Sequence, residues 1–193
     1  MLPLILERVK AAGYVVFTGP DYDLNLIGVR SSNKITNVFD DKFHIVYKEN
    51  DEWVELVYPC TTDPGTYWIK NPSRVQGTAI LKAGQYRGAY HIGLHKGRYR
   101  ALTQIKPVTV WRDNNRDMTI DQDKTQTGLF GINIHRTSSI SETDKSISQN
   151  VNKWSAGCTV IPNKDHFDNL INLCDMQIQK NNWHTFTYTL LED

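Results

Sequence analysis

Gly128-Leu129-Phe130-Gly131-Ile132-Asn133-Ile134-His135 reads as an apolar strand that ends in histidine. Trp154-Ser155-Ala156-Gly157-Cys158-Thr159, about twenty residues further on, reads as a small-residue turn that delivers a cysteine. A thiol becomes a competent nucleophile when a base or a positive field raises its thiolate fraction, and histidine does this near neutral pH. Glycine before the cysteine lets a substrate carbonyl approach the backbone, where successive N–H groups can face a developing oxyanion. Cys158 is therefore the candidate nucleophile and His135 its candidate base.

Outward from this pair the chain is cut into short strands. Residues 78–81, 90–94 and 108–111 are β-like runs separated by Gly and Pro, and 42–47 with 53–58 read as a hairpin around a polar tip. Residues 14–17 and 24–30 read as two further strands, and 185–190 as an alternating terminal one. Thr62-Asp63-Pro64-Gly65 is a turn, while 113–127 and the Ser/Thr-rich 136–152 are loops. One helix is expected over residues 3–12, closed by Gly13. A second is expected over 163–180, where Phe167, Leu170, Ile171 and Cys174 recur at helical spacing. Many short strands with two helices predict an α+β, mostly β fold. One domain over 1–193 is expected, with 62–193 as its core and 1–61 as an accessory segment or part of the same sheet.

Composition is ordinary for a soluble domain: 39% hydrophobic and 22% charged residues, with a net charge of +1. That balance gives no argument for nucleic acid or membrane partners. Lys96, Arg98 and Arg100 are the densest basic group and fit an exposed strand face. Cys60, Cys158 and Cys174 are irregularly spaced and form neither a disulfide framework nor a zinc knuckle. Cys174 fits a buried helix face. No apolar run is long enough to span a membrane, and no leader sequence is evident, which predicts synthesis in a cytoplasm.

The strand ending in His135, the variable loop and then Ser155-x-Gly157-Cys158 together resemble the catalytic signature of the L,D-transpeptidase catalytic domain (YkuD-like) family, in a phage-type branch. Gly77-Thr78-Ala79-Ile80-Leu81, Gly84-Gln85-Tyr86 and Pro107-Val108-Thr109-Val110-Trp111-Arg112-Asp113 add a softer frame, so that the likeness covers residues 62–180. The resemblance implies an L,D-transpeptidase-like β-sandwich with two flanking helices. It implies a Cys158 thiolate that attacks a peptidoglycan stem-peptide carbonyl, His135 as general base, and N–H groups of Gly157 and Cys158 as an oxyanion hole. Ser155 matches the motif serine. The chain departs at Ala156, where the family often has His, and at Val160, where it commonly has Arg or Asn.

Around this core, Arg136 is a candidate partner for a substrate carboxylate, and Trp154 adjoins the motif. Tyr90, His91 and His95 are candidates for the substrate side of the cleft. His91 and His95 also have the spacing of a metal pair, but Ile92 stands where a metalloprotease needs Glu and no third ligand is evident, so no metal or cofactor is expected. Asp113-Asn114-Asn115-Arg116-Asp117 mimics the start of a calcium loop; with Met118 and Lys124 in place of its Gly and Glu, it reads as an Asx-rich turn. The tryptophans at 53, 68, 111 and 183 fit the core or its rim. The expected function is a peptidoglycan-directed, hydrolytic Cys/His enzyme, an L,D-carboxypeptidase or endopeptidase of phage lysis or of a virion, working at the cell wall. Stem peptides are the expected partners, with other virion proteins as a further candidate. Two alternatives stand beside it: a catalytically silent virion or wall-binding module of the same fold, and a cysteine peptidase acting on protein.

Overall fold

In a computed structural model, residues 1–33, 37–117, 119–137 and 150–193 are described. Their order is α1 (Leu4–Ala11), β1 (Asn25–Arg30), β2 (Asp41–Glu49), β3 (Glu52–Cys60), α2 (Thr66–Lys70), β4 (Thr78–Leu81), β5 (Gly84–His95), β6 (Tyr99–Gln104), β7 (Val108–Asp113), β8 (Thr125–Gly128), β9 (Ile134–Arg136), β10 (Thr159–Ile161), α3 (Lys164–Asn181) and β11 (Thr185–Glu192). Helix α1 starts on Pro3, whose carbonyl accepts from the N–H groups of Leu6 and Glu7. It ends in a Schellman arrangement: Tyr14 N–H donates to Val9 O, Gly13 N–H donates to Lys10 O, and Gly13 sits at φ +81°. Ile5, Leu6 and Val9 are buried against Ile27, Val29, Val46 and Leu191, worth about 1.5–3 kcal/mol for each such side chain removed from water.

The large sheet runs β10-β9-β6-β5-β11-β1-β2-β3, and β4-β7-β8 form a small antiparallel one. In the large sheet β1–β11 and β9–β10 pair parallel, the rest antiparallel. Thr61, just past β3, exchanges two 2.9 Å backbone bonds with Val160 of β10, so the two edge strands of the sheet are tied together there. Residues 25–60 thus supply three of the eight strands in the sheet that carries His135. β1 is buried on both faces: Leu26 enters the main core, while Ile27 and Val29 lie under α1.

Helix α3 begins at Asn163, whose side chain accepts from the N–H groups of Asp165 and His166. Its buried row of Phe167, Leu170, Ile171 and Cys174 joins the main core with Phe43, Tyr90, Leu102, Ile134, Ile161 and Tyr188. The core is therefore gathered between α3 and the strands of the large sheet.

The described residues are mostly β, 40% strand and 18% helix, and among them are three helices rather than two. The third is α2, directly after the turn at 62–65. Residues 14–17 are not a strand. Their backbone is satisfied by side-chain amides: Gln85 bonds both ways with Val15, and Asn25 both ways with Phe17. β6 is a full strand of the sheet interior, with Ala101 and Leu102 completely buried. Lys96 lies in the β5–β6 turn with Gly97, both at positive φ, so the basic group spans a hairpin and not one strand face. β8 opens inside the loop expected over 113–127, and of residues 128–135 only Gly128, which closes β8, and Ile134 and His135, which open β9, are strand. The Asx turn at 113–117 is present in part, with Asp117 N–H on Asn115 Oδ1 and Thr119 N–H on Asp117 Oδ1, whereas Met118 and residues 138–149 of the long loop lie outside the described residues. Among the described residues no helix is long and apolar enough to cross a membrane.

Candidate active site

The turn before Cys158 is built by Ser155. Its hydroxyl is fully buried, accepts from Gly157 N–H at 3.0 Å and donates to Cys158 O at 2.8 Å. Gly157 sits at φ +118°, where a Cβ would overlap Ala79 O of β4, so only glycine fits. The Ser155 carbonyl accepts from Gly65 N–H at 2.9 Å, which ties the turn to the start of α2. After Cys158 the chain enters β10, where Thr159 pairs with Ile134 and Val160 with His135. Alternation along parallel strands puts Cys158 on the same face as Asn133 and His135.

Asn133 organises that face. Its N–H points at Cys158 Sγ at 3.4 Å and its carbonyl accepts from Thr159 N–H. Gln104 N–H donates to Asn133 Oδ1, which orients the amide so that Nδ2 donates to His95 Nδ1 at 3.1 Å. The Gln104 side chain meanwhile accepts from Phe130 and Ile132 N–H and donates to Gly128 O. That is why residues 129–133 hold a fixed path without strand pairing. Neither Gln104 nor Asn133 was singled out by the sequence, where no local signal marks their roles.

His135 is 3% exposed. Its Nδ1 donates to Arg136 O at 2.8 Å, an acceptor shared with the Tyr99 hydroxyl at 2.9 Å. The lone pair is thereby left on Nε2, which has no protein partner among the described residues. The His135 ring stacks on His95, centroids 4.0 Å apart. Burial, then the neighbouring His95 and Lys96, push the His135 pKa down to about 3. Burial, with Lys96 and Arg98, takes His95 to about 4. Burial also pushes the Cys158 thiol above its ordinary value, against the opposing pull of Asn133 N–H and Lys96. The resting pair is a neutral thiol and a neutral imidazole. The thiol donates not to His135 but to Gly131 O at 3.4 Å.

Two clefts flank the turn. One, of about 400 Å³, reaches Cys158 and is bordered by Arg74, Ala79, Arg112, Phe130 and Ala156. The other, of about 550 Å³, is bordered by Tyr67, His95, Lys96, His135, Lys153 and Trp154. The structure thus places Ser155, Gly157 and Cys158 in one turn at the first cleft and His135, His95 and Trp154 around the second, with Asn133 bonded to both Cys158 and His95. Three expected residues lie elsewhere. Tyr90 is completely buried in the core against Tyr188 and has no surface to offer a substrate. His91 faces the Gly93–Thr103 part of the β5–β6 pair and borders neither cleft. Arg136 lays its guanidinium over the Tyr99 ring at 4.6 Å, donates to Thr137 O and borders neither cleft.

The expected pair of oxyanion donors is also altered. Gly157 N–H is committed to Ser155 Oγ, while Cys158 N–H has no acceptor among the described residues. No three His, Cys, Asp or Glu among the described residues come together as a metal-holding group. Set against protein-family models and curated proteins, the chain matches none.

Proposed function

We propose that the protein is a peptidoglycan-directed Cys/His acyl-transfer enzyme of the L,D-transpeptidase-like type, hydrolytic, acting on stem peptides at the bacterial wall in phage lysis or from a virion. One observation supports this most. Cys158 borders a cleft on the same strand face as a histidine whose Nδ1 is fixed by a carbonyl and whose Nε2 is open. In that reading the large and small sheets make up the L,D-transpeptidase-like β-sandwich.

The chemistry follows from the hydrogen bonds. The thiol leaves Gly131 O, and its proton passes to His135 Nε2 as Sγ attacks the substrate carbonyl carbon. Arg136 O holds Nδ1–H through this step and favours the imidazolium that forms. Cys158 N–H is the donor left free to meet the oxyanion. The imidazolium then returns its proton to the leaving amine, and water resolves the Cys158 acyl-enzyme.

The silent-module alternative has an observation of its own: the raised thiol and the committed Gly157 N–H are what a structural turn would show. Digestion of purified peptidoglycan, with masses of the released muropeptides, decides between them. The expected result is release by the wild type and none by Cys158→Ala or His135→Ala. Release that persists in Cys158→Ala overturns the assigned nucleophile, and no release by the folded wild type overturns the enzyme.

A further inference from the structure

We propose that the cleft beside Cys158 holds a substrate carboxylate between Arg112 and Arg74. The proposal rests on Cys158 as the reacting group and names what the substrate must carry next to the bond under attack. Arg112, in β7, is only 9% exposed, and its guanidinium is held rigidly from three directions. Nε donates to Gln126 Oε1 at 2.8 Å, Nη1 donates to Gly77 O at 3.0 Å, and the Phe130 ring lies 4.8 Å from the guanidinium carbon. All three contacts are neutral. Nη2 has no acceptor among the described residues, and the group borders the same cleft as Cys158.

A guanidinium taken this far out of water is normally found with an anion, because its lost hydration needs replacement. Among the described residues none is present on this wall: no Asp or Glu borders the cleft, and neither Arg112 nor Arg74 forms an ion pair. Instead, the second charge close to Arg112 is another cation, Arg74, and burial together with Arg74 pulls the Arg112 pKa down. Two like charges around one pocket, one of them fixed in plane, suit a planar anion with two oxygens. Arg136, the sequence-based candidate for this role, is turned onto Tyr99 instead.

The test uses the thiol as a reporter. Iodoacetate and iodoacetamide alkylate a thiolate by the same displacement: sulfur bonds to the methylene carbon and iodide leaves. They differ in that one carries a carboxylate. The rate ratio of iodoacetate to iodoacetamide at Cys158 of the folded protein, divided by the ratio for N-acetylcysteine at the same pH and salt, cancels the thiol's own titration. A carboxylate bonded to Arg112 and Arg74 should raise this quotient about tenfold. Arg112→Gln and Arg74→Gln should each lower it, and 0.5 M salt should lower it too. A wild-type quotient near one overturns the proposal, as does a raised quotient that neither variant changes. Arg74 is exposed, so Arg74→Gln decides the matter even if Arg112→Gln does not fold. The quotient reads charge at the thiol whether or not walls are cut. A high quotient without muropeptide release would sink the enzyme and keep the carboxylate site; release with a quotient near one would do the reverse.

Discussion

Replacing His135 by Gln should flatten the acid side of the protein's stability in a defined way. In the folded chain His135 titrates near 3, because burial and the neighbouring His95 and Lys96 oppose its charging; in the unfolded chain it titrates near 6.5. Between those values the unfolded state binds the extra proton. The contribution of a neutral His135 is therefore complete above pH 6.5 and is lost as pH falls toward 3. One full proton changes stability by about 1.4 kcal/mol per pH unit, and because the unfolded histidine is only half protonated at pH 6.5, the fall from pH 6.5 to 4.5 removes about 2.3 kcal/mol. The wild type alone will not display this cleanly. Asp63, buried against Arg30, has its pKa raised to about 6 by burial, so it takes up a proton on folding and adds stability as pH falls from 6 toward 4. The difference between wild type and His135→Gln cancels Asp63, and Gln can still donate to Arg136 O. Urea unfolding at half-unit steps from pH 7.5 to 4.5 measures it. The wild-type advantage should shrink by about 2.3 kcal/mol between pH 6.5 and 4.5. A difference that stays constant across the range would mean that His135 titrates as an exposed histidine, and the neutral-pair reading would fall with it.

Ser155→Ala should strip the Gly157 N–H and the Cys158 carbonyl of their shared partner in a buried turn, at about 1–3 kcal/mol for each group left unpaired. For a domain of this size that is a melting temperature lower by about 4–15 °C; a scanning-calorimetry shift under 2 °C would contradict the bonding described. Native alkylation with iodoacetamide should modify Cys158 and spare Cys60 and Cys174, which are completely buried. The Cys158 rate should climb with pH through a midpoint above that of a free cysteine, because burial disfavours its thiolate. A midpoint near 7, read by peptide mass after quenching, would mean a pre-formed thiolate–imidazolium pair.

What the sequence made legible was local. The Ser155–Cys158 turn shows in its small residues, and α3 shows in the three- and four-residue recurrence from Phe167 to Cys174. Helix α2 is five residues long, too short to display a period. β6 alternates poorly: Ala101-Leu102 sits between Arg100 and Thr103, and its burial comes from flanking β5 and β9, not from its own pattern. Gln104 and Asn133 act across about thirty residues of chain, through bonds that leave no mark at either end. Arg136 was attractive because it adjoins His135, yet neighbours along a strand point to opposite faces. Arg112 and Arg74, distant in sequence, are the cations that border the cleft with Cys158.

The neutral pair sets a condition on any reaction at this site. With burial holding the thiol above its ordinary value and His135 down near 3, moving the proton from one to the other in the empty site is strongly uphill. A thiolate waiting for substrate is therefore not the reactive form. Proton transfer becomes favourable only as the attack proceeds, when negative charge leaves sulfur for the substrate oxygen and the new imidazolium gains an anion beside it. Such stabilisation exists in the transition state and not before it, which is where it accelerates a reaction. The same raised thiol that slows Cys158 toward small electrophiles at neutral pH then serves selectivity. On the proposed reading, the ligand that draws the proton across is one that fills the cleft, carries charge for Arg112 and brings its carbonyl within reach of Cys158 N–H.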